Sequence, residues 1–380
     1  MKIVTWQNVL TDHQVFTLRE LQECAGHPIK IIVGVEQLDA RVKQGWKKPN
    51  TDGLSVYTLE GLYGIVQGFR LLRENADAIH LFVGLWSDRR FIIFILYALL
   101  RGIRIGLITE AYSYTPLGIY AEQAQWLGKL KALIRPTMYK MIGMLIGSRI
   151  KPVFTISSRA KQQFKTAGFS DQYLFPFAYC VPRFELDQEN LVFESKPSVS
   201  IVFVGALVHV KGIDEVIRAV QRCLDQGVDI ELDLYGPGGI SFWREKLNDK
   251  IRYRGVIPFG QAQSVIKNYD LLVLPSRYDG WGVVVNEALL QSVPVLVSSG
   301  AGSSDLVKGS GAGAVFSVGD YKELAHLIND ISNNLDKLAQ WKIKANEIGA
   351  LLSPKVAGRY MIDCIEAVDF GAPKPECPWY

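Results

Sequence analysis

The chain has 380 residues, of which 48% are hydrophobic and 21% are charged, and its formal net charge at pH 7 is +4. This length accommodates two domains that each bury a core, and the composition excludes an intrinsically disordered chain. Because the net charge is small for this size, no nucleic-acid partner is predicted.

The cysteines and the N-terminus predict a protein of a reducing compartment. The five cysteines are widely spaced and form no C-x-x-C pair, so neither a disulfide framework nor a thiolate metal site is expected. Residues 1–6 lack the layout of a signal peptide and predict a first strand. The longest apolar run, residues 91–100, is half as long as the ~20 residues of a membrane-spanning helix and predicts a buried helix. We therefore expect a cytoplasmic protein.

Short apolar runs alternate with stretches that are long enough for a helix. They are residues 29–35, 78–83, 103–109 and 153–157 and, after a polar stretch, residues 199–204, 230–235, 251–254, 271–274 and 294–297. Apolar runs of this kind are typical of strands that are covered on both faces of a parallel sheet. The alternation therefore predicts an α/β chain with two parallel sheets.

The restart of this pattern predicts two domains. The first spans residues 1–186 and the second spans residues 199–354, with a linker over residues 187–198. Residues 355–380 are predicted to form a C-terminal helix and a tail rich in aromatic residues and proline. Two arrangements of the tail remain open, since it can fray or pack back on the first domain.

Glycine-rich loops follow the strands of the second domain. Val204 to Gly212 reads V-G-A-L-V-H-V-K-G, with Gly205 directly behind the strand and Lys211 in the turn, and Gly236 begins a second such loop. In a doubly wound sheet these loops lie at the carboxyl ends of the strands, where glycine lets the backbone approach a ligand and lysine can meet a phosphate. A single glycine turn beside a lysine is also found on ordinary protein surfaces.

Two carboxylates follow a later strand at a spacing of eight residues, Asp279 in a glycine-flanked loop and Glu287 on the predicted helix behind it. Carboxylates accept hydrogen bonds in fixed directions and suit the hydroxyls of a hexose or a ribose. Taken alone, Asp279 can be an ordinary turn residue and Glu287 a solvated helix residue. Because both follow the same predicted strand, a sugar-nucleotide site is favoured. The next loop, residues 299–305, opens a helix whose first amides favour a phosphate.

Residues 199–320 resemble the retaining nucleotide-sugar glycosyltransferases of GT-B fold, called group 1 glycosyltransferases, whose hallmark is an acidic residue, seven others and then glutamate. Asp279 and Glu287 match that hallmark. The resemblance implies two Rossmann-like domains that face each other across a cleft. It also implies that Asp279 contacts the donor sugar and Glu287 the ribose.

The other donor contacts implied by the resemblance are mostly backbone groups. The amides at the donor sugar belong to Gly280, Trp281 and Gly282. The diphosphate is expected at Lys211 and at the amides of Gly302, Ser303 and Ser304. The nucleotide is expected to lie along the strand ends at Gly205, Gly236 and Val256. Val256 belongs to an R-G-V-I-P stretch that is similar to the turn that holds the base.

The sequence departs from the family pattern at two positions. The first carboxylate is Asp279 where glutamate is more usual, which shortens its reach by one methylene and keeps its acceptor chemistry. The arginine that usually follows the strand glycine is Ala206, which removes one bidentate partner of the diphosphate. Lys211 is then expected to act alone or with another basic residue such as Arg277.

The first domain supplies candidates on the acceptor side. The resemblance implies a catalytic-site histidine or acid just after the strand over residues 105–109, and Glu110 occupies that position. His13 follows the first strand and is a second candidate. A solvated loop position is the alternative for both residues.

Residues 126–151 contain six basic residues and no acidic one, interleaved with leucine, isoleucine and methionine. Such a stretch can lie at an anionic bilayer surface with its apolar side shallowly inserted, or its apolar residues can belong to the core. We expect both to hold in part, and we predict a peripheral position on the inner face of the plasma membrane.

These observations predict transfer of a sugar, with retention, from a nucleotide diphosphate sugar to a hydroxyl of a glycan or lipid-linked glycan. Lipopolysaccharide, capsule or exopolysaccharide synthesis is the expected setting. No metal and no cofactor beyond the donor are expected. Two alternatives remain, a sugar-nucleotide epimerase of the same fold and a non-catalytic sugar-nucleotide-binding protein, which Ala206 would favour.

Overall fold

The computed structural model describes residues 1–36, 48–61, 63–113, 125–184, 198–239, 243–258 and 260–380, with the backbone alone at residues 125–127 and 131. The chain forms two compact units. Unit 1 is drawn from residues 1–116, 123–180 and 354–378, and most of unit 2 is the continuous stretch 181–353. Of the predicted linker over residues 187–198, all but Ser198 lies outside the described residues.

Unit 1 is built on a parallel sheet of seven described strands. They are β1 Ile3–Gln7, β2 Lys30–Val33, β3 Ser55–Thr58, β4 Ile79–Val83, β5 Arg104–Glu110, β6 Ile150–Ile156 and β7 Leu174–Phe177. Across the sheet they run in the order β3-β2-β1-β4-β5-β6-β7. The order reverses between β1 and β4, and such a reversal is where open α/β sheets bind ligands.

The described helices between these strands are α1 Asp12–Ala25, α2 Tyr63–Glu74, α3 Arg89–Leu100, α4 Gln125–Ile146 and α5 Ser158–Thr166. The apolar run over residues 91–100 lies in α3, where Phe91 and Phe94 are fully buried. Their rings lie 6.3 and 5.3 Å from the ring of Trp6 in β1. This aromatic contact packs α3 on the sheet, because large rings bury the most apolar area for each residue.

Unit 2 is built on a second parallel sheet, with six described strands. They are β8 Val199–Val204, β9 Ile230–Tyr235, β10 Ile251–Gly255, β11 Leu271–Leu274, β12 Val295–Ser298 and β13 Gly313–Phe316. The described helices are α6 Ile213–Asp225, α7 Ala262–Ile266, α8 Val283–Leu290, α9 Ser304–Ser310, α10 Tyr321–Ser332 and α11 Leu335–Leu351. The strand order is β10-β9-β8-β11-β12-β13, which reverses between β8 and β11.

The predicted α/β fold class is confirmed, because both sheets are wholly parallel and their strands alternate with helices along the chain. Every residue of β11 and of β12 is buried, as their continuous apolar runs predict. The sequence did not predict β3, β7 and β13, which all lie at sheet edges.

The last described helix, α12 Pro354–Phe370, belongs to unit 1 and packs against α1. A Cβ on Gly358 would lie 2.9 Å from the backbone nitrogen of Leu21, so the two helices approach closely at this glycine. Beyond α12, the Lys374 ammonium donates to the carbonyl oxygens of Asp171 at 3.0 Å and Leu174 at 2.5 Å. The tail is therefore attached to unit 1 at this point.

Membrane-spanning helices and clusters of metal ligands are both absent from the described residues. None of their helices combines the length and the hydropathy needed to cross a bilayer. No three His, Cys, Asp or Glu side chains in this part of the chain are grouped as metal ligands.

Candidate functional site

An ion pair lies at the switch point of the unit 2 sheet. Lys211 lies in the loop after β8 and Asp279 in the loop after β11, the strands between which the order reverses. Lys211 Nζ donates to Asp279 Oδ2 at 2.6 Å, and the two side chains are 29% and 15% exposed. The ammonium has two further donors and the carboxylate has further lone pairs, so both can also bind a ligand. The structure thus brings together the candidate for a phosphate and the candidate for a sugar.

The turn that carries Lys211 packs directly on the end of β11. Residues 209–211 form a single 3-10 turn, and Gly212 follows it with φ 69°. A Cβ on Gly212 would lie 2.0 Å from the Pro275 carbonyl oxygen, so glycine is required both by the left-handed backbone and by this contact. The Arg277 amide also donates to the Val210 carbonyl at 2.9 Å. These contacts hold the loop after β8 against the loop after β11.

The loop after Asp279 presents a run of backbone amides. Gly282, with φ 93°, is the N-cap of α8. Within the described part of the chain, the amides of residues 280–284 have no hydrogen-bond acceptor. Amides at a helix N-terminus carry partial positive charge and can donate to ligand oxygens. This geometry supports the expectation that Gly280, Trp281 and Gly282 offer amides to a donor, which stays a proposal.

The amides of the following loop have hydrogen-bond acceptors within the protein. The amides of Gly302, Ser303 and Ser304 donate to the carbonyl oxygens of Asp279 at 3.2 Å, Trp281 at 2.9 Å and Ala301 at 3.2 Å. Each of these amides therefore has an acceptor within the protein, and their role toward a diphosphate stays a prediction. The first two bonds join the loop after β12 to the loop after β11.

The side chains behind these loops are buried. Trp281 is 2% exposed, and its Nε1 donates to Asn286 Oδ1 at 2.8 Å. The Ser303 hydroxyl is fully buried and has no hydrogen-bond partner among the described residues. Trp281 therefore contributes its side chain to the core, and only its backbone is available to a ligand.

Glu287 lies in the second turn of α8 and is half-buried. Within the described residues it has neither a hydrogen-bond partner nor an ion-pair partner. Burial raises the pKa of Glu287 to about 7, since removal from water disfavours the charged form. An unpaired carboxyl at this position supports the assignment to ribose hydroxyls, which stays a proposal.

The three other predicted nucleotide positions lie along the ends of neighbouring strands. Gly205 follows β8, Gly236 follows β9 and Val256 follows β10, and these strands are adjacent in the sheet. Gly236 has φ 146°, and a Cβ there would lie 1.8 Å from the Gly205 carbonyl oxygen. This glycine is therefore required by the neighbouring loop, whatever it contacts in a ligand. Val256 is 55% exposed.

Arg277 is bound within the protein. Its Nη1 donates to the His209 carbonyl at 2.6 Å and to Asp214 Oδ1 at 2.7 Å. Its Nη2 donates to Asp214 Oδ2 at 2.7 Å and lies 2.7 Å from Glu215 Oε1. The hydrogen bonds to Asp214 raise the pKa of Arg277. The expectation that Arg277 supplements Lys211 at the diphosphate is therefore wrong, because two carboxylates of α6 hold both ends of its guanidinium.

Three side chains of unit 1 meet at the carboxyl edge of its sheet. Glu110 ends β5, Tyr179 follows β7 and His13 lies in the first turn of α1, which follows β1. The Tyr179 hydroxyl donates to Glu110 Oε1 at 2.8 Å, and the Tyr179 and His13 ring centroids are 4.5 Å apart. Glu110 is exposed and His13 is partly exposed. The structure thus brings both acceptor-side candidates together, although their role toward an acceptor stays a proposal.

The chain behind Glu110 is held by a buried amide. Gln163 of α5 accepts from the Tyr112 amide and donates to the Tyr112 carbonyl, both at 2.8 Å. Because Tyr112 is two residues beyond Glu110, this pair of bonds fixes the direction in which the chain leaves β5. Tyr179 was not predicted from the sequence, where the available signal was its position directly after the apolar run L-F-P-F-A.

Two doubly wound parallel sheets are the architecture of the GT-B class of fold. The structure of Anabaena HepE in complex with UDP is similar over 97% of this chain and 100% of its own, with a TM-score of 0.67 at 14% identity. Residues 184–348 match the family model of the Glycosyl transferases group 1. This chain therefore carries a group 1 glycosyltransferase domain.

The curated relatives are similar over part of their length. The capsular polysaccharide biosynthesis glycosyltransferase CapM of Staphylococcus aureus is 26% identical over 60% of this chain and 64% of its own. An uncharacterized glycosyltransferase of Methanocaldococcus jannaschii is 32% identical over 28% of this chain and 29% of its own. The chain thus spans less than two thirds of the length of either relative.

Proposed function

We propose that this protein is a retaining glycosyltransferase that moves a sugar from a nucleotide diphosphate sugar to a hydroxyl of a glycan or lipid-linked glycan. The observation that carries the proposal is the 2.6 Å contact between Lys211 and Asp279 at the switch point of unit 2. In such a donor the phosphate adjoins the anomeric carbon of the sugar. The pair offers a cation for the phosphate directly beside an acceptor for the sugar hydroxyls.

In this proposal Lys211 and the amides of residues 280–284 stabilise the charge that develops on the departing diphosphate. Donors that are already oriented toward such a charge usually supply the largest catalytic contribution. Asp279 orients the sugar ring and Glu287 accepts from the ribose. The UDP bound by HepE supports a nucleoside diphosphate as the leaving group.

The acceptor hydroxyl attacks the anomeric carbon from the face that the diphosphate leaves. The new bond forms as the bond between the anomeric carbon and the phosphate oxygen breaks, and a departing phosphate oxygen takes the hydroxyl proton. This sequence retains the configuration and needs no protein nucleophile. Glu110 and His13 are proposed to bind the acceptor.

Helix α4 supports a peripheral position on an anionic membrane surface. Among the side chains that the structure describes on this helix, six large apolar ones are exposed: Leu130, Leu133, Ile134, Met141, Met144 and Leu145. Lys129 and Lys140 are exposed on the same helix, whereas Tyr139 and Ile142 pack against the core of unit 1. A helix with exposed apolar and cationic side chains suits the boundary between headgroups and acyl chains. Placed there, the protein would meet lipid-linked acceptors at the inner face of the plasma membrane.

We further propose a setting in surface-polysaccharide synthesis, namely lipopolysaccharide, capsule or exopolysaccharide. The name of CapM as a capsular polysaccharide biosynthesis glycosyltransferase supports this assignment.

A panel of nucleotide sugars tests the proposal in two stages. The first stage measures the melting temperature with each donor, since a ligand that binds only the folded state stabilises it. The second measures release of free nucleoside diphosphate and the configuration of the product. Release that depends on Lys211 supports a transferase. Stabilisation without release indicates a non-catalytic binding protein, and conversion to an epimer of the donor sugar indicates an epimerase.

A further inference from the structure

We infer that Arg277 is a positioning residue for Lys211, acting on the turn of residues 209–211 and not on the diphosphate itself. The inference rests on the proposed function, because Lys211 acts there through the leaving diphosphate. Arg277 lies three residues beyond the end of β11, and Lys211 lies in the loop after β8. The arginine therefore bridges the two loops that meet at the switch point of the sheet.

The contact that reaches the turn is the bond from Arg277 Nη1 to the His209 carbonyl at 2.6 Å. A second bond runs from the Arg277 amide to the Val210 carbonyl at 2.9 Å. Arg277 thus holds the two residues that directly precede Lys211. The backbone bond can form with any residue except proline at this position, so only the bond from Nη1 to the His209 carbonyl depends on the arginine side chain.

The Arg277 guanidinium is also held by two carboxylates of α6. Asp214 accepts from both Nη1 and Nη2 at 2.7 Å, and Glu215 Oε1 lies 2.7 Å from Nη2. Glu215 Oε2 accepts from the Gly319 amide at 3.1 Å, which ties this carboxylate to the loop before α10. Arg277 is 16% exposed, and the two carboxylates are 10% and 2% exposed. Although burial opposes it, the hydrogen bond from Arg277 lowers the pKa of Asp214.

The geometry requires arginine and excludes lysine as an equivalent. A planar guanidinium can meet both oxygens of one carboxylate and still donate to a carbonyl, whereas an ammonium is a point charge without a fixed fork. Without the bond to the His209 carbonyl, the turn of residues 209–211 loses one of its contacts with the loop after β11. An error of about 1 Å in the position of a group that orients a substrate can cost roughly 100-fold in rate.

The experiment compares Arg277→Lys with Arg252→Lys. Arg252 is a matched control, because it lies in β10 of the same unit and also bridges two carboxylates, Asp233 at 2.8 Å and Glu231 at 2.5 Å. Calorimetry gives the affinity for the nucleoside diphosphate, release assays give turnover at saturating donor, and the melting temperature reports folding. We expect Arg277→Lys to lower both affinity and turnover by roughly tenfold or more. Arg252→Lys should change only the melting temperature.

A double-mutant cycle with Lys211→Ala separates positioning from general destabilisation. If Arg277 acts through Lys211, then Arg277→Lys should change affinity by less than about twofold once Lys211 is alanine. Effects that multiply in full would overturn the inference, and so would unchanged affinity and turnover in Arg277→Lys alone. Asp214→Asn, which keeps the side-chain shape, enters the same cycle with the same expectation if Arg277→Lys does not fold.

Failure of the proposed function and failure of the positioning role of Arg277 give different results in these experiments. If Lys211→Ala leaves affinity and turnover unchanged, the proposed function of this site is wrong, and the positioning role is lost with it. If Lys211→Ala is damaging while Arg277→Lys acts independently of it, only the positioning role is wrong.

Discussion

Lys211 and Asp279 come from different loops and share one hydrogen bond of 2.6 Å, so each faces the charge of the other. A change of charge at Asp279 therefore acts on the sugar candidate directly and on the phosphate candidate through Lys211. We therefore expect the loss of the Asp279 charge to weaken the contact with the sugar and to leave or strengthen the contact between Lys211 and the phosphate.

The first prediction concerns Asp279→Asn, which keeps the shape and removes the charge. Turnover at saturating donor should fall about 10- to 100-fold, because hydrogen bonds to a charged acceptor contribute about 1.5–3 kcal/mol and orient the sugar in the transition state. Affinity for the nucleoside diphosphate alone should stay equal or rise, since Lys211 loses a competing anion. Asp279→Glu is the control that restores an acidic acceptor and should keep measurable turnover. Native turnover in Asp279→Asn would remove this residue from the site.

The second prediction concerns Glu287, whose carboxyl is half-buried and has a pKa near 7. Glu287→Ala should weaken nucleoside diphosphate binding by about 1.5–3 kcal/mol, since the ribose hydroxyls lose a charged acceptor. Binding to the native protein should release protons near pH 7, because hydroxyl donors favour the charged carboxylate. Calorimetry in buffers of different ionisation enthalpy measures this release. Glu287→Gln corrects for the ligand's own titration, and equal proton release from both proteins would contradict the ribose assignment.

The same pKa predicts a pH dependence of stability. The folded-state value of about 7 lies above the ordinary 4.5, so the folded protein holds more protons than the unfolded chain between these pH values. The contribution of Glu287 to the free energy of unfolding therefore falls as the pH rises through this window. Glu287→Gln should flatten this part of the stability curve, as measured by urea unfolding at a series of pH values.

The third prediction concerns Tyr179→Phe, which removes the hydroxyl that donates to Glu110 at 2.8 Å. The kcat/KM for the acceptor should fall roughly 5- to 100-fold, while the donor KM should stay unchanged, since the nucleotide candidates lie in unit 2. Tyr173→Phe is the control, because Tyr173 contacts Lys151 through its ring face, which phenylalanine retains. A change in the donor KM alone would argue against an acceptor role.

The fourth prediction concerns the exposed cations of α4. Lys129→Glu combined with Lys140→Glu should reduce sedimentation with anionic vesicles, since each basic residue near such a surface contributes about 1 kcal/mol. Added salt should do the same to the native protein. Lys267→Glu combined with Lys322→Glu reverses two exposed lysines of unit 2 and should have little effect. Equal loss from both double variants would show a general charge effect and not a membrane face.

The fifth prediction is structural. Gly236→Ala should destabilise unit 2 strongly, because its Cβ would lie 1.8 Å from the Gly205 carbonyl oxygen on a backbone with φ 146°. Gly227→Ala has φ 80° with nothing within 4 Å of the added Cβ, so it should cost only the ~1–2 kcal/mol of a left-handed alanine. Thermal unfolding of both variants compares the cost of the contact with the cost of the backbone conformation alone.

The central strands could be predicted from the sequence because burial on both faces leaves a continuous apolar run. The bounds of β8, β9 and β11 agree with the predicted runs at every residue. The three strands that were missed lie at sheet edges, where fewer contacts are made. Gly313–Phe316 begins with glycine, and Leu174–Phe177 contains a proline, so neither reads as a typical strand.

The sequence could identify single candidate residues of the site from their chemical type, but it could not predict which residues they contact. Lys211 and Asp279 were separate candidates, and only the sheet order brings the loops after β8 and β11 together. Arg277 and the amides of residues 302–304 look equally suited to a phosphate in sequence. Their hydrogen bonds within the protein depend on long-range geometry, which composition and spacing do not contain.

The return of the chain to unit 1 has a consequence for synthesis on the ribosome. Residues 354–378 complete unit 1, and α12 packs against α1 through a close approach at Gly358. Domains usually fold in the order in which they emerge. Here unit 1 begins first but lacks α12 until the continuous stretch 181–353, which forms most of unit 2, has been translated. A nascent chain that ends before residue 354 would therefore contain most of unit 2, together with a unit 1 in which α1 has not yet gained its contact with α12.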